Sequence, residues 1–151
     1  MSCVSMLRKH RGWLVLIQSN METRTTTING KQVTLAYCWG TEINYGKFTN
    51  GDNASIFIHD TAIKVDALRK GDATAQPDIE KCIYLILSAA IAYYKSKDEE
   101  CPITADDFLF TSEPKELYEA LGHVIILYGE FYHLTDADKP KQKKKGKAEK
   151  N

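Results

Sequence analysis

Between residues 23 and 37 the chain alternates. Thr23 to Ile28 is rich in β-branched residues, Asn29-Gly30 follows, and Val33, Leu35 and Tyr37 then recur at every second position. Two such runs around an Asn-Gly pair predict a β-hairpin, because both turn residues accept positive φ. A lone hairpin is marginal in water and needs a surface to pack on. Thr41 to Phe48 predicts a short helix with Thr41 as its cap and Asn50-Gly51 as its stop.

The period then lengthens. Ile56-Phe57-Ile58 reads locally as strand, but Ile56, Ile63, Ala67 and Leu68 hold helical spacing and Gly71 supplies a stop, so length favours a helix over Asn53 to Lys70. After the polar linker Gly71 to Pro77, Asp78 caps a helix running to about Lys97. Its apolar stripe is 79, 82, 83, 86, 87, 90, 91 and 94. Tyr84, Leu85, Ala89 and Tyr93 widen the stripe beyond one face, which predicts a central helix or one lying against a partner. Thr104 to Asp107 resembles a capping box opening a short helix. Ser112-Glu-Pro114 starts the last long helix, with Leu117, Leu121, Val124, Ile125, Tyr128, Phe131 and Tyr132 inward. The predicted fold is mainly α (α+β): an N-terminal β-hairpin followed by about four helices, forming one globular domain over residues 21–134. Beyond Leu134 no large apolar residue occurs, which predicts a disordered basic tail over 135–151.

Charge sharpens this division. The formal net charge is zero, yet residues 1–20 carry +3, residues 21–138 carry −9, and the last thirteen, with seven lysines, carry +6. An acidic body thus bears a basic tail that includes Lys141, Lys143, Lys144, Lys145 and Lys147. With 43% hydrophobic and 26% charged residues the body is globular in composition, and no apolar run nears the roughly 20 residues of a membrane span. Residues 1–20 imitate a signal peptide, but the apolar core Trp13 to Ile17 is too short and no cleavage site follows. A frayed terminus and a natural start at Met21 remain as readings, and the second is preferred because the strand begins directly after it.

Candidate chemistry is sparse. Cys3, Cys38, Cys82 and Cys101 lack zinc-site spacing, Cys82 lies within an apolar run and no export signal is convincing, so reduced, intracellular thiols are expected. Glu130 and His133 have the spacing of half a di-iron motif, but no second Glu-x-x-His occurs, and an exposed helix end is the simpler account. Asp106-Asp107 reads as helix capping and Glu99-Glu100 as a solvated loop. His59 and His123 read as partly buried, hydrogen-bonded side chains. No phosphate loop, dinucleotide fingerprint or nucleophile elbow is present. The expectation is a protein without catalytic residues, cofactor or metal.

Aromatic residues carry more. They crowd the last two long helices, and adjacent pairs cannot all face inward. Some of Tyr84, Tyr93, Tyr128 and Tyr132 are therefore expected at a protein-binding face. The order INGKQVTLAYCWGTEINYGKF, DIEKCIYLILSAAIAYYKSKDE and PKELYEALGHVIILYGEFYHL, then a charged tail, resembles the tail assembly chaperones of long-tailed bacteriophages and prophages. The resemblance spans about residues 21–134 in pattern and local wording, without an invariant signature. It implies a non-enzymatic helper in the bacterial host cytoplasm that binds and solubilises the tape-measure protein during tail morphogenesis. It also implies a tail-tube subunit as second partner of a frameshifted long form, with slippage at Lys143-Lys144-Lys145. Self-association into a homo-oligomer is compatible with it. Two other classes compete: a nucleic-acid-binding accessory protein acting through the lysines, and a structural tail or head-completion protein. The −9 body and a tail lacking arginine and aromatics weigh against nucleic acid.

Overall fold

The computed structural model describes residues 21–134. Strands β1 (Thr23–Ile28) and β2 (Lys31–Ala36) pair antiparallel, with Thr26 opposite Val33 and Ile28 opposite Lys31. Asn29 and Gly30 turn the chain with φ of 53° and 77°, the left-handed pair that the Asn-Gly signal predicts. Thr26, Ile28, Val33 and Leu35 point into the core, while Thr25 and Thr34 meet on the outer face. The hairpin is not isolated: β2 lies on the central helix and β1 on the last one.

Four α-helices follow: α1 (Trp39–Phe48), α2 (Ala54–Arg69), α3 (Ile79–Ser96) and α4 (Pro114–Phe131), with a short π-helical turn at Asp107–Thr111 before α4. The hairpin and the mainly helical class expected from the pattern are what the chain forms. Asn53 and Asp78 cap α2 and α3 by accepting from the backbone N–H three residues on. Every helix ends at a residue in left-handed conformation: Asn50, Gly71, Asp98 and His133. After α2, Asp72 N–H donates to Ala67 and Gly71 N–H to Leu68, a Schellman ending.

Helix α3 is the central element. Its residues Cys82, Ile83 and Leu85 to Ala90 are all buried, around its full circumference, against β2, α1 and α4. The breadth of its apolar stripe has this cause. Helix α4 buries Leu117, Leu121, Val124, Ile125 and Tyr128 as its spacing predicts.

Two local expectations are corrected. Helix α1 begins two residues earlier than its pattern suggests, and Thr41 is not its cap. Thr41 sits inside the first turn, fully buried, where its Oγ1 accepts from Cys38 N–H and donates to the Ala36 carbonyl, tying strand to helix. On α2 the apolar stripe is the other one. Ala54, Phe57, Ile58, Thr61, Ala62 and Val65 face inward, whereas Ile56 and Ile63 are 71% and 67% exposed. Both sets have helical spacing; the buried one includes threonine and small alanines, which hide it from a reading by hydrophobicity.

Candidate functional surface

The C-terminal end of α4 meets the segment joining β2 to α1, and six aromatic side chains gather there. Tyr37 packs edge-on against Tyr128 at 5.3 Å between ring centroids and also touches Phe131. Trp39 stands edge-to-face on Phe131 and Tyr132. Tyr132 in turn touches Tyr128, and the His59 ring meets Tyr128 from α2. Ring edges against ring faces are the preferred arrangement of such quadrupoles, so the cluster is well packed and directional.

One carboxylate organises it. Glu42 Oε2, on the first turn of α1, accepts the hydroxyls of both Tyr37 (2.9 Å) and Tyr132 (2.6 Å), residues distant in sequence. Burial raises the pKa of both phenols well above the ordinary tyrosine value, and Glu42 adds to it, first through its charge at Tyr37 and first through its hydrogen bond at Tyr132. Both hydroxyls therefore remain donors at any physiological pH. On the far side, Tyr128 hydroxyl bonds Ser55, and His59 Nε2 lies 3.1 Å from it, so α2 is attached to the same cluster.

The cluster opens to solvent on one side. Trp39 is 62% exposed, and Ile43, one turn further along the same face of α1, is 59% exposed. An open groove of about 590 Å³, floored by Tyr37, Cys38, Leu127 and Phe131, adjoins Trp39 through its ring contact with Phe131. Its rim holds Glu22, Glu130 and His133. Glu22 and Glu130 make no ion pair among the described residues.

The four tyrosines expected at a binding face are divided by the fold. Tyr128 is buried at 4% exposure, as its place in the α4 stripe predicts, and so is not one of the exposed members: it is a floor residue of the cluster, held by Tyr37 after β2 and by Ser55 and His59 of α2. Tyr132 is half-buried at the cluster edge. Tyr84 lies elsewhere, stacked parallel on Phe48 at 5.2 Å with its hydroxyl donating to Glu80. Tyr93 packs on Tyr94 under Lys97. Lys141, Lys143, Lys144, Lys145 and Lys147 lie outside the described residues, as do Cys3 and residues 1–20. Trp39 and Ile43 are not singled out by the sequence pattern, and Tyr37 enters it only as a strand position. The i, i+4 spacing of Trp39 and Ile43 would have flagged a face of α1 had its start been placed correctly.

A second apolar surface lies near the start of α4. Leu68, Ile79, Ile83, Phe108 and Leu117 line a hollow of about 410 Å³, and in the adjoining π turn Leu109 and Phe110 are 58% and 78% exposed. This turn is tied to the hairpin. Asp107 accepts from Asn29 Nδ2 (2.8 Å), Lys31 Nζ (3.2 Å) and Thr104 N–H (2.8 Å), the last being the capping-box contact that the sequence suggests.

No protein-family model, curated protein or solved structure matches this chain. Among the described residues no three His, Cys, Asp or Glu side chains could hold a metal ion together. Cys38, Cys82 and Cys101 are unpaired thiols, and burial pushes the Cys82 thiol up to about 12, which leaves it inert as a nucleophile. His123 accepts from Arg24 Nε at 2.9 Å, and burial, with the Arg24 charge, lowers its pKa. His59, expected to be partly buried, is exposed. Glu130 and His133 are exposed at the end of α4, and Glu99-Glu100 in the loop after α3. No described helix is long and apolar enough to cross a membrane.

Proposed function

We propose that this protein is a tail assembly chaperone of a long-tailed bacteriophage or prophage, acting in the host cytoplasm without catalysis to keep a tape-measure protein soluble until tail-tube subunits surround it. The resemblance of residues 21–134 supplies the family, and the observation that carries the reading is the open aromatic surface around Trp39. It combines a rigid, well-packed base with exposed apolar side chains, which suits capture of an amphipathic helix in a groove. A long client offers many such helices, so modest affinity at each site is sufficient when many copies act along one chain. A homo-oligomer is compatible with this role. Recruitment of the tail-tube subunit belongs, in this reading, to a frameshifted long form.

Co-expression tests it. The tape-measure protein should be recovered in the soluble fraction and co-purify with this chain, and Trp39→Ser with Ile43→Ser should abolish co-purification. A tape measure that is equally insoluble with and without the chain refutes the function.

A further inference from the structure

The rim of the aromatic groove carries information about what enters it. Glu22 lies just before β1 and Glu130 in the last turn of α4, so two carboxylates from opposite ends of the domain line one apolar floor. The nearest basic group among the groove residues is His133. An apolar floor ringed by one sign of charge focuses potential on whatever docks there and rejects like charge. We propose that this groove selects a cationic amphipathic segment: an apolar anchor that seats against Phe131 and Leu127 beside Trp39, flanked by Lys or Arg that meet Glu22 and Glu130. This deepens the chaperone reading and rests on it for the groove's role, but its charge rule is a separate claim. Client helices with basic flanks would be held, and acidic ones passed over.

Two fluorescent helical peptides with the same apolar residues, one flanked by lysines and one by glutamates, provide the test on the full chain. Anisotropy titration should show the lysine-flanked peptide binding about tenfold tighter, the sum of a few exposed pairs, with the preference shrinking as salt rises. Glu22→Lys with Glu130→Lys should reverse the order, while Trp39→Ser should weaken both peptides alike. Equal affinities, a preference for the acidic peptide, or no binding of either overturns the charge rule even if the tape measure still co-purifies. Selective peptide binding without any effect on tape-measure solubility would instead sink the chaperone function and leave the charge rule standing. Two other occupants have their own signatures. If Lys143→Gln, Lys144→Gln and Lys145→Gln together strengthen peptide binding tenfold, the chain's own basic tail fills the groove and a separate partner is refuted. A dimer in sedimentation velocity that Trp39→Ser dissociates would assign the groove to a second copy and refute it equally.

Discussion

Replacing Asp107 by Asn should uncouple the hairpin from the turn that leads into α4. Asp107 is nearly buried and joins three segments: Oδ1 accepts from Asn29 Nδ2, Oδ2 accepts from Thr104 N–H, and Lys31 Nζ lies within reach of both oxygens. An asparagine has one acceptor oxygen, so it can satisfy Asn29 or Thr104 but not both, and its amide confronts the remaining donor. The loss is one charge-assisted hydrogen bond, about 1.5–3 kcal/mol, plus the Lys31 pair at about 0–1 kcal/mol, since Lys31 is half exposed. The expected cost is about 2–4 kcal/mol, or roughly 10 °C in Tm for a domain of this size. Lys31→Met, which removes only the exposed pair, should cost about 1 kcal/mol or less. The hydrogen bond from Asn29 comes first among the causes that hold the Asp107 carboxyl below the usual aspartate range, followed by the one from Thr104. Its contribution is therefore fully present above the unfolded value near pH 4 and is lost as pH falls through the lower folded value. Urea unfolding followed by circular dichroism at neutral pH and at about pH 3 should show the gap between parent and Asp107→Asn narrowing on acidification. A gap that stays constant, or a Lys31→Met cost equal to that of Asp107→Asn, would refute the assignment of the energy to the buried hydrogen bonds.

Two further outcomes concern the packing and a third the tail. Leu87→Asp and Ile125→Asp each bury an unpaired charge on α3 or α4 and should yield insoluble protein; a parent-like melt of either would overturn the placement of that helix face. Thr61 is fully buried on α2 and its hydroxyl has no hydrogen-bond partner among the described residues, so the isosteric Thr61→Val should raise stability by about 1 kcal/mol or more, read as a higher urea midpoint. If the tail reading holds, cells producing the protein contain a minor longer product diverging after Lys143-Lys144-Lys145, and recoding those lysines synonymously removes it; peptide mass spectrometry that still finds the longer product rejects slippage there.

What this chain determines locally can be read from it directly, because the causes span four residues or fewer. Asn29-Gly30 turns since both residues tolerate positive φ, Asn53 and Asp78 cap since a short carboxylate or amide reaches the third N–H, and Gly71 ends α2 since it adopts a positive φ that residues with a side chain rarely take. The stripes of α3 and α4 are likewise visible, because their apolar residues are large and continuous. Tertiary structure alone decides which of two equally spaced faces goes inward. On α2 the face with Phe57, Ile58 and Thr61 is buried and Ile56 and Ile63 are left in solvent, because Tyr45 stacks on Phe57 and Tyr128 reaches Ser55 and His59 from seventy residues away. Tyr128 is drawn into the floor of the aromatic cluster by the same long-range contacts, and Glu42, which meets Tyr37 locally, acquires Tyr132 only when the end of α4 returns beside it. The groove is a product of closure: its walls come from residues 21–22, 37–38 and 127–133, and no local pattern states that these parts of the domain meet.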